Sequence, residues 1–264
     1  MPELAEVEWY RKQWDPGIGE EVIDVKLHPR KYVLRDLDQR ALRRLIGKKL
    51  TRTQRHGKQM LFRFSGDHWL GVHLGMTGKL RIEPSGFQAG KYDHLVLYQS
   101  KRALVFADTR QLGRVRLHSG LDQPEWWKSY PPQIESPEFD RSFFATFLRR
   151  HQKAPIKAVL LMQNGFAGIG NWMADEILWR ARVVPGKRTF RLTTTERDAV
   201  FKATKHVVQR ALETTGSDFS DPPKNWLIHQ KWKREGVRPK HRTLLRHGII
   251  GGRSTVWCPT CQRA

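Results

Sequence analysis

The first 120 residues alternate between apolar and polar positions in short runs, which is the pattern of half-buried β-strands. Residues 3–14 instead have the spacing of a helix, and Asp15, Pro16 and Gly17 would end it. A second, short helix is predicted at 38–45. Strands are predicted at 21–27, 49–55, 56–64, 69–74, 79–83, 94–98, 103–107 and 115–117. This half of the chain is therefore predicted to be a helix followed by a mostly antiparallel β-sandwich or barrel.

The pattern changes after a proline-rich stretch that begins at residue 122. Helical spacing follows, with helices predicted at 139–151, 156–162, 172–181 and 194–213. Thr194 offers an N-cap for the last helix and Gly216 is expected to close it. The predicted organisation is a first domain at 1–121, a linker at 122–136, a helical domain at 137–216 and a C-terminal region at 217–264.

The charge balance indicates a polyanionic partner. Lys and Arg number 48 against 26 Asp and Glu, and this net charge of +22 is spread along the chain. A membrane surface would compete as partner, but no run approaches the roughly eighteen apolar residues of a spanning helix, and no secretory leader precedes Glu3. Nucleic acid is therefore the favoured partner.

The two cysteines lie close together at Cys258 and Cys261. This count excludes a disulfide framework and suits a reducing cytosol. A Cys-x-x-Cys turn is typical of half a zinc ribbon, whose other ligands would lie roughly fifteen to twenty residues earlier. His241, with His247 beyond it, could ligate zinc together with Cys258 and Cys261, whereas Arg238 could not. A zinc site and a metal-free hairpin both remain open, and either places Arg253 at a hairpin tip where it can bind phosphate.

The N-terminus contains residues that could act in catalysis. Once Met1 is removed, Pro2 has a free secondary amine, and an α-amino group titrates near about pH 8. Such an amine can add to a sugar aldehyde carbon and form an iminium ion. Glu3, Glu6 and Glu8 supply carboxylates for acid–base chemistry. The same residues also suit an ordinary helix start, with proline and acids in the first turn.

Two glycine-containing turns are further candidates for phosphate binding. Gly57 and Lys58 lie at a strand-to-strand turn, from which the lysine can reach across a sheet face. Residues 165–171 join two helices, and the N–H groups that open the second helix would suit a DNA phosphate. A tight helix connection explains the second stretch equally well.

Six motifs together resemble the formamidopyrimidine-DNA glycosylase / endonuclease VIII family of base-excision repair enzymes. The resemblance covers nearly the whole chain and follows the family's order. The motifs are Pro2-Glu3-Leu4 with Glu6, His56-Gly57-Lys58, His73-Leu74-Gly75-Met76-Thr77-Gly78, Asp108-Thr109-Arg110-Gln111-Leu112-Gly113, Gly168-Ile169-Gly170-Asn171 and Gly251-Gly252-Arg253-Ser254-Thr255.

The resemblance implies an α+β fold: an N-terminal helix with a β-sandwich, then a helix–two-turn–helix domain with a zinc-finger-like hairpin. It also implies a bifunctional DNA glycosylase and abasic-site lyase that flips the damaged nucleotide out of the stack. Pro2 would attack C1′ and displace the base while Glu3 assists ring opening and proton transfer. The iminium would then permit β- and δ-elimination.

The resemblance also assigns the remaining site residues. Lys58, Asn171 and Arg253 match the phosphate ligands, with Lys157 and His94 as weaker candidates. Met76, Arg110 and Leu112 match the side chains that fill the space left by the flipped base. Sequence alone equally allows Met76 and Leu112 to be core or turn residues and Arg110 to be a solvated charge. Glu6 would contact the lesion or merely cap its helix.

This chain departs from the family pattern at several positions. Ala5 replaces a usual proline, Gln59-Met60 an aromatic–aliphatic pair, and Leu112 a usual phenylalanine. Arg238 and His241 occupy the places of the first cysteine pair. Residues 217–230 lie where the family's lesion-capping loop belongs but do not match it. Oxidised purines, oxidised pyrimidines and bulkier or crosslinked lesions therefore all remain open as substrates.

Two other function classes remain as alternatives. A non-catalytic binder of damaged or structured DNA would need neither Pro2 nor Glu3. An RNA-binding zinc-ribbon protein would explain the charge and the cysteines but not the N-terminus. We expect a monomer that binds damaged double-stranded DNA, with no membrane and no organic cofactor, in the cytoplasm of a bacterium and associated with its nucleoid.

Overall fold

The computed structural model describes residues 1–28, 32–231, 233 and 243–263. They divide into two units. The first holds Met1–Pro2 and Glu6–Tyr130, and the second holds Glu3–Ala5 and Pro131–Ala264. Arg238 and His241, which occupy the places of the family's first cysteine pair, lie outside the described residues.

Helix α1 spans Leu4–Lys12, and a short 3₁₀ turn at Asp15–Gly17 follows it. This agrees with the helix predicted at 3–14. Val7 and Tyr10 lie in the core of the first unit, whereas Leu4 is buried in the core of the second.

The described strands of the first unit form two four-stranded antiparallel sheets, as the alternating pattern predicts. One sheet has the order β1-β6-β7-β5 and the other β2-β3-β4-β8. The strands are β1 Asp24–Leu27, β2 Leu50–His56, β3 Gln59–Phe64, β4 His68–His73, β5 Gly78–Pro84, β6 Asp93–Tyr98, β7 Arg102–Asp108 and β8 Arg114–Ser119. Alternate side chains of both sheets, such as Phe62 and Phe106, meet in one apolar core.

Two predicted elements of this unit differ from the structure. Of the strand predicted at 21–27, only Asp24–Leu27 is regular, and Glu21 makes an isolated bridge to Lys49. The helix predicted at 38–45 is a 3₁₀ helix at Gln39–Leu45, and the side chain of Asp38 caps it by accepting from Arg40 N.

The segment predicted as a linker contains helix α2, Glu125–Lys128. Trp127 is buried against Leu61 and Trp69 on the sheet. Trp126 lies over Gly71, where an added Cβ would approach the indole to 2.4 Å. The beginning of this segment is therefore packed on the first unit.

The second unit is helical and ends in a hairpin. Its helices are α3 Arg141–Arg150, α4 Ile156–Leu160, α5 Asn171–Ala181, α6 Thr194–Glu213, α7 Thr215–Asp218 and α8 Ile228–Lys231, and its strands are β9 Arg246–Ile250 and β10 Arg253–Trp257. Phe139, Phe144 and Phe166 pack edge to face in its core. No described helix is long and apolar enough to cross a membrane.

The ends of helix α6 correct two predictions. Thr193, rather than Thr194, is the N-cap, because its side chain accepts from Glu196 N while Glu196 accepts from Thr193 N in a reciprocal capping box. Gly216 does not close this helix, since α6 ends at Glu213 and Gly216 lies within α7.

Candidate functional site

The carboxylate of Glu3 caps the N-terminus of helix α5. Its oxygens accept hydrogen bonds from the backbone N–H groups of Gly170, Trp172 and Met173 at 2.9, 3.0 and 3.1 Å. Glu3 is only 4% exposed. The next residue is also held, because Leu4 N donates to Gly168 O at 3.0 Å. Since a helix N-terminus favours a negative charge, these contacts fix the position of the Glu3 carboxylate.

Glycine at position 170 makes this contact possible. A Cβ added there would lie 2.2 Å from Glu3 Cδ and 2.3 Å from Oε1, well inside van der Waals contact. The prediction that these N–H groups bind a DNA phosphate is wrong, because they already hold a carboxylate. The glycine is needed for close approach, but the group that approaches is Glu3.

Pro2 directly precedes this fixed carboxylate in the chain and is half-buried. Met1, which must be removed to free the proline amine, is 52% exposed. Glu6 is half-buried in the first turn of α1, and its charge adds to the effect of burial in raising the pKa of Tyr10. The chain therefore places its candidate nucleophile next to a rigidly held acid.

Lys58 lies in the tight loop between β2 and β3, where the sequence predicted it. Gly57 precedes it with φ of 55°, the left-handed conformation that such hairpin loops require. Burial and then the charge of Lys58 lower the pKa of His73 to about 4. His73 Nδ1 accepts from Gly75 N at 3.2 Å, which also fits a neutral ring. The cationic group at this turn is thus Lys58 and not the histidine.

The structure brings Met76, Arg110 and Leu112 together on two adjoining turns of the first unit. Arg110 Nη1 lies 3.4 Å from Met76 Sδ. All three side chains are exposed, with Met76 and Leu112 at 41% each. Neither apolar residue is therefore a core residue.

Asp108 holds these turns in place. Its Oδ1 accepts from Thr77 Oγ1 at 2.5 Å, and its Oδ2 accepts from Gly113 N at 2.7 Å. Gly75 approaches the backbone of Leu112 so closely that an added Cβ would lie 2.4 Å from its carbonyl carbon. The exposed side chains of Met76, Leu112 and Arg110 therefore lie on turns that Asp108 holds together by hydrogen bonds.

The terminal hairpin presents Arg253. Gly251 and Gly252 turn the chain with φ of 60° and 72°, and Arg253 begins β10 with its side chain exposed. Asn171 Nδ2 donates to Ser254 Oγ at 3.1 Å. Asn171 and the strand that begins with Arg253 are therefore neighbours within the second unit.

Lys157 and His94 are placed differently from the sequence prediction. Both side chains are fully buried. Lys157 Nζ donates to Ser254 O and Thr255 Oγ1 at 2.8 Å, and His94 Nε2 contacts Asp108 O at 2.7 Å. The prediction that either residue contacts a phosphate directly is wrong for this structure, because neither side chain has exposed surface.

The hairpin has an apolar core that includes one of the cysteines. Cys258 is buried with Trp179, Leu227 and Val256, and Cys261 packs against this cluster. Gln262 closes the turn, since its Oε1 accepts from Cys258 N while its own N–H donates to Cys258 O. No cluster of three potential metal ligands occurs in the described ranges, and His241 lies outside them. The described donors alone do not make up a zinc site.

Sequence reasoning missed Asp175 and Lys231. Lys231 Nζ lies 2.6 Å from Asp175 Oδ2, and both residues are buried. Asp175 follows Asn171 by one helical turn, which was a usable signal for a shared face. Lys231 lies in a basic stretch where nothing distinguishes it from solvated lysines.

Comparison with known proteins gives consistent matches along the chain. Residues 1–115 match the formamidopyrimidine-DNA glycosylase N-terminal domain, and residues 131–222 match the formamidopyrimidine-DNA glycosylase H2TH domain. The formamidopyrimidine-DNA glycosylase of Carboxydothermus hydrogenoformans is 32% identical over the full length of both chains. That of Thermus thermophilus is 31% identical over 99% of this chain and 98% of its own.

Solved structures agree. A Lactococcus lactis Fpg in complex with an oxidised-pyrimidine-containing DNA has a TM-score of 0.89 and 29% identity, and the match covers both chains completely. The same enzyme with an abasic-site-containing DNA has a TM-score of 0.89 and 27% identity over 99% of this chain and 100% of that one.

Proposed function

This chain belongs to the formamidopyrimidine-DNA glycosylase family, and we propose that it excises damaged bases from double-stranded DNA and then cleaves the abasic strand. The observation that carries the proposal is the Glu3 carboxylate, which three backbone N–H groups hold directly after Pro2. A DNA-binding protein without catalysis has no use for a fixed acid beside a free secondary amine.

The proposed first step is base displacement. The lone pair of the Pro2 nitrogen forms a bond to C1′ of the flipped nucleotide, and the C1′–base bond breaks with its electron pair leaving on the base. The Glu3 carboxylate takes the N–H proton of the new ammonium and delivers it to the sugar ring oxygen as the ring opens, and the nitrogen lone pair that this frees makes the iminium ion. The three backbone hydrogen bonds to Glu3 keep the carboxylate that transfers this proton in place.

The proposed second step is elimination. The iminium ion withdraws electrons, so a C2′ proton becomes acidic and the 3′ phosphate departs by β-elimination. A further proton loss expels the 5′ phosphate by δ-elimination. Hydrolysis then frees Pro2 from the sugar fragment. Both flanking phosphates therefore remain on the DNA ends.

Two groups of side chains would hold the substrate. Lys58, Asn171 and Arg253 are the proposed phosphate ligands, because Lys58 lies at a hairpin turn and Arg253 is exposed beside Asn171. Met76, Arg110 and Leu112 would occupy the space left by the flipped base. Their exposure on a rigid support favours this role, because apolar side chains inserted in this way stabilise the open base stack.

Oxidised bases are the proposed lesion class. The Lactococcus lactis relative has been solved with an oxidised pyrimidine and with a Fapy-dG lesion. Bulkier and crosslinked lesions are tested beside them, because residues 217–230 differ from the family's pattern.

A panel of duplexes, each with one defined lesion or one abasic site, tests the proposal. We expect base release from at least one oxidised lesion and abasic products that carry phosphate at both ends of the gap. Base release without strand cleavage would contradict the lyase step. Tight binding without either reaction would instead identify a non-catalytic binder.

A further inference from the structure

Asp175 is a buried carboxylate on helix α5 that binds two lysines at once. Its Oδ1 lies 2.6 Å from Lys157 Nζ, and its Oδ2 lies 2.6 Å from Lys231 Nζ. The three side chains are at most 4% exposed. Two buried ammonium groups and one carboxylate leave a positive charge, which burial strongly disfavours unless a second anion compensates it.

The Glu3 carboxylate is a second anion of this unit. Burial lowers the pKa of Lys157 and outweighs the charges that oppose it, which are Asp175 first and Glu3 last. The geometry agrees, because Glu3 binds the N–H groups of the first turn of α5 and Asp175 lies on the next turn. Glu3 and Asp175 therefore balance Lys157 and Lys231 within one unit.

Lys157 extends this network to the terminal hairpin. Its Nζ donates to Ser254 O and Thr255 Oγ1 at 2.8 Å each, so the ammonium that contacts Asp175 also holds the start of β10. Arg253 directly precedes Ser254. One buried cation thus links α5, the helix whose first turn holds Glu3, to the strand that carries a proposed phosphate ligand.

Lys231 belongs to a segment that packs on α5. Leu227 N donates to Glu176 Oε2 at 2.7 Å, so two adjacent carboxylates of α5 bind the same segment. Trp226 is buried in the core of this unit at 1% exposure. The Lys231 side chain is 4% exposed and offers no surface to DNA.

We propose that Lys231 is a positioning residue for the reaction: by neutralising Asp175, it keeps Lys157 bridged between α5, whose first turn holds Glu3, and the start of β10. This inference rests on the proposed function. Lys231 acts on the acid and on the hairpin without touching the substrate.

A charge-balance cycle tests the inference with Lys231→Met, Asp175→Asn and the double variant. Each single change removes one charge from the buried group, whereas the double variant removes one positive and one negative charge together. We expect each single variant to lower the single-turnover rate by about 10-fold, with the Kd for abasic-analogue DNA within about 3-fold of wild type. The double variant should recover to within about 3-fold of the wild-type rate.

Lys202→Met and Asp198→Asn provide the matched control, because Asp198 on α6 also contacts two cations, Lys202 and Arg141, but at the surface, where these side chains are 33% to 67% exposed. Rates are compared at a temperature where every variant is folded. Single variants as fast as wild type, or a double variant no faster than the slower single, would overturn the inference. A wild-type protein that neither releases bases nor cleaves abasic DNA would instead overturn the proposed function.

Discussion

Glu3 shows how one residue acquires a role from its backbone surroundings. Its carboxylate could lie anywhere near the N-terminus, yet three N–H groups of α5 hold it in one place. These hydrogen bonds depend on the absence of a side chain at Gly170. Positioning of this kind matters because catalysis is sensitive to displacements of about 1 Å.

Gly170→Ala should therefore slow the reaction without weakening DNA binding. The new Cβ forces the Glu3 carboxylate to move, and we expect the single-turnover rate to fall by roughly 10- to 100-fold. Single-turnover kinetics and a binding titration on the same duplex measure the two quantities. Gly186→Ala is the control, since a Cβ there meets only Ile250 Cδ1 at 3.7 Å. Equal effects of both substitutions on the single-turnover rate would contradict the proposal that Gly170 allows α5 to hold the Glu3 carboxylate in place.

His73 should make the stability of the first unit depend on pH. Its pKa is lowered from 6.5 to about 4, so between these values the unfolded chain binds a proton that the folded chain refuses. The free energy of unfolding should then fall as the pH drops from 6.5 towards 4, by at most about 3 kcal/mol. Urea unfolding of wild type and His73→Gln across this range measures the difference. An unchanged difference would contradict a neutral His73.

At the scale of elements, the sequence predicted the kinds of structure better than the state of single residues. Period-two alternation predicts strands because only one face of each strand meets the core. The same rule does not reveal that Lys157 is buried, because an ammonium becomes tolerable inside only when Asp175, Ser254 and Thr255 meet it in three dimensions.

The candidate site shows the same division. Pro2, Glu3, Lys58 and Arg253 could be proposed from motifs, and in the structure Lys58 lies in a turn and Arg253 directly follows one. The partner of the α5 N-terminus could not be predicted in this way, because the linear sequence does not show that Glu3 contacts Gly170, which is 167 positions away. Long-range contacts therefore decide which anion a glycine-containing turn receives.

The terminal hairpin should stay folded without zinc. Cys258 packs with Trp179 and Val256, and Gln262 closes the Cys-x-x-Cys turn with two hydrogen bonds to the Cys258 backbone, one through its side-chain Oε1 and one through its own N–H. Dialysis against a chelator should leave the thermal unfolding curve and DNA binding unchanged. One tightly bound zinc per chain, with loss of structure on its removal, would contradict this expectation and would direct attention to His241.

At the scale of the whole molecule, the net charge of +22 should make DNA binding strongly dependent on salt. Each phosphate contact that is lost should reduce the slope of log Kd against log salt by about 1. We expect this reduction for Arg253→Ala, whose side chain is exposed. Arg149→Ala, another exposed arginine of the second unit, is the comparison. Identical slopes for both variants would remove Arg253 from the proposed phosphate ligands.

The central claim is that the proline amine itself attacks the sugar, and borohydride trapping tests it most directly. Protein whose Met1 has been removed is incubated with an abasic-site duplex and reduced, and the cross-linked peptide is then mapped. The account predicts a covalent adduct on Pro2 that disappears when a tag blocks the N-terminus. An adduct on a lysine, an adduct that survives the tag, or no adduct at all would contradict it.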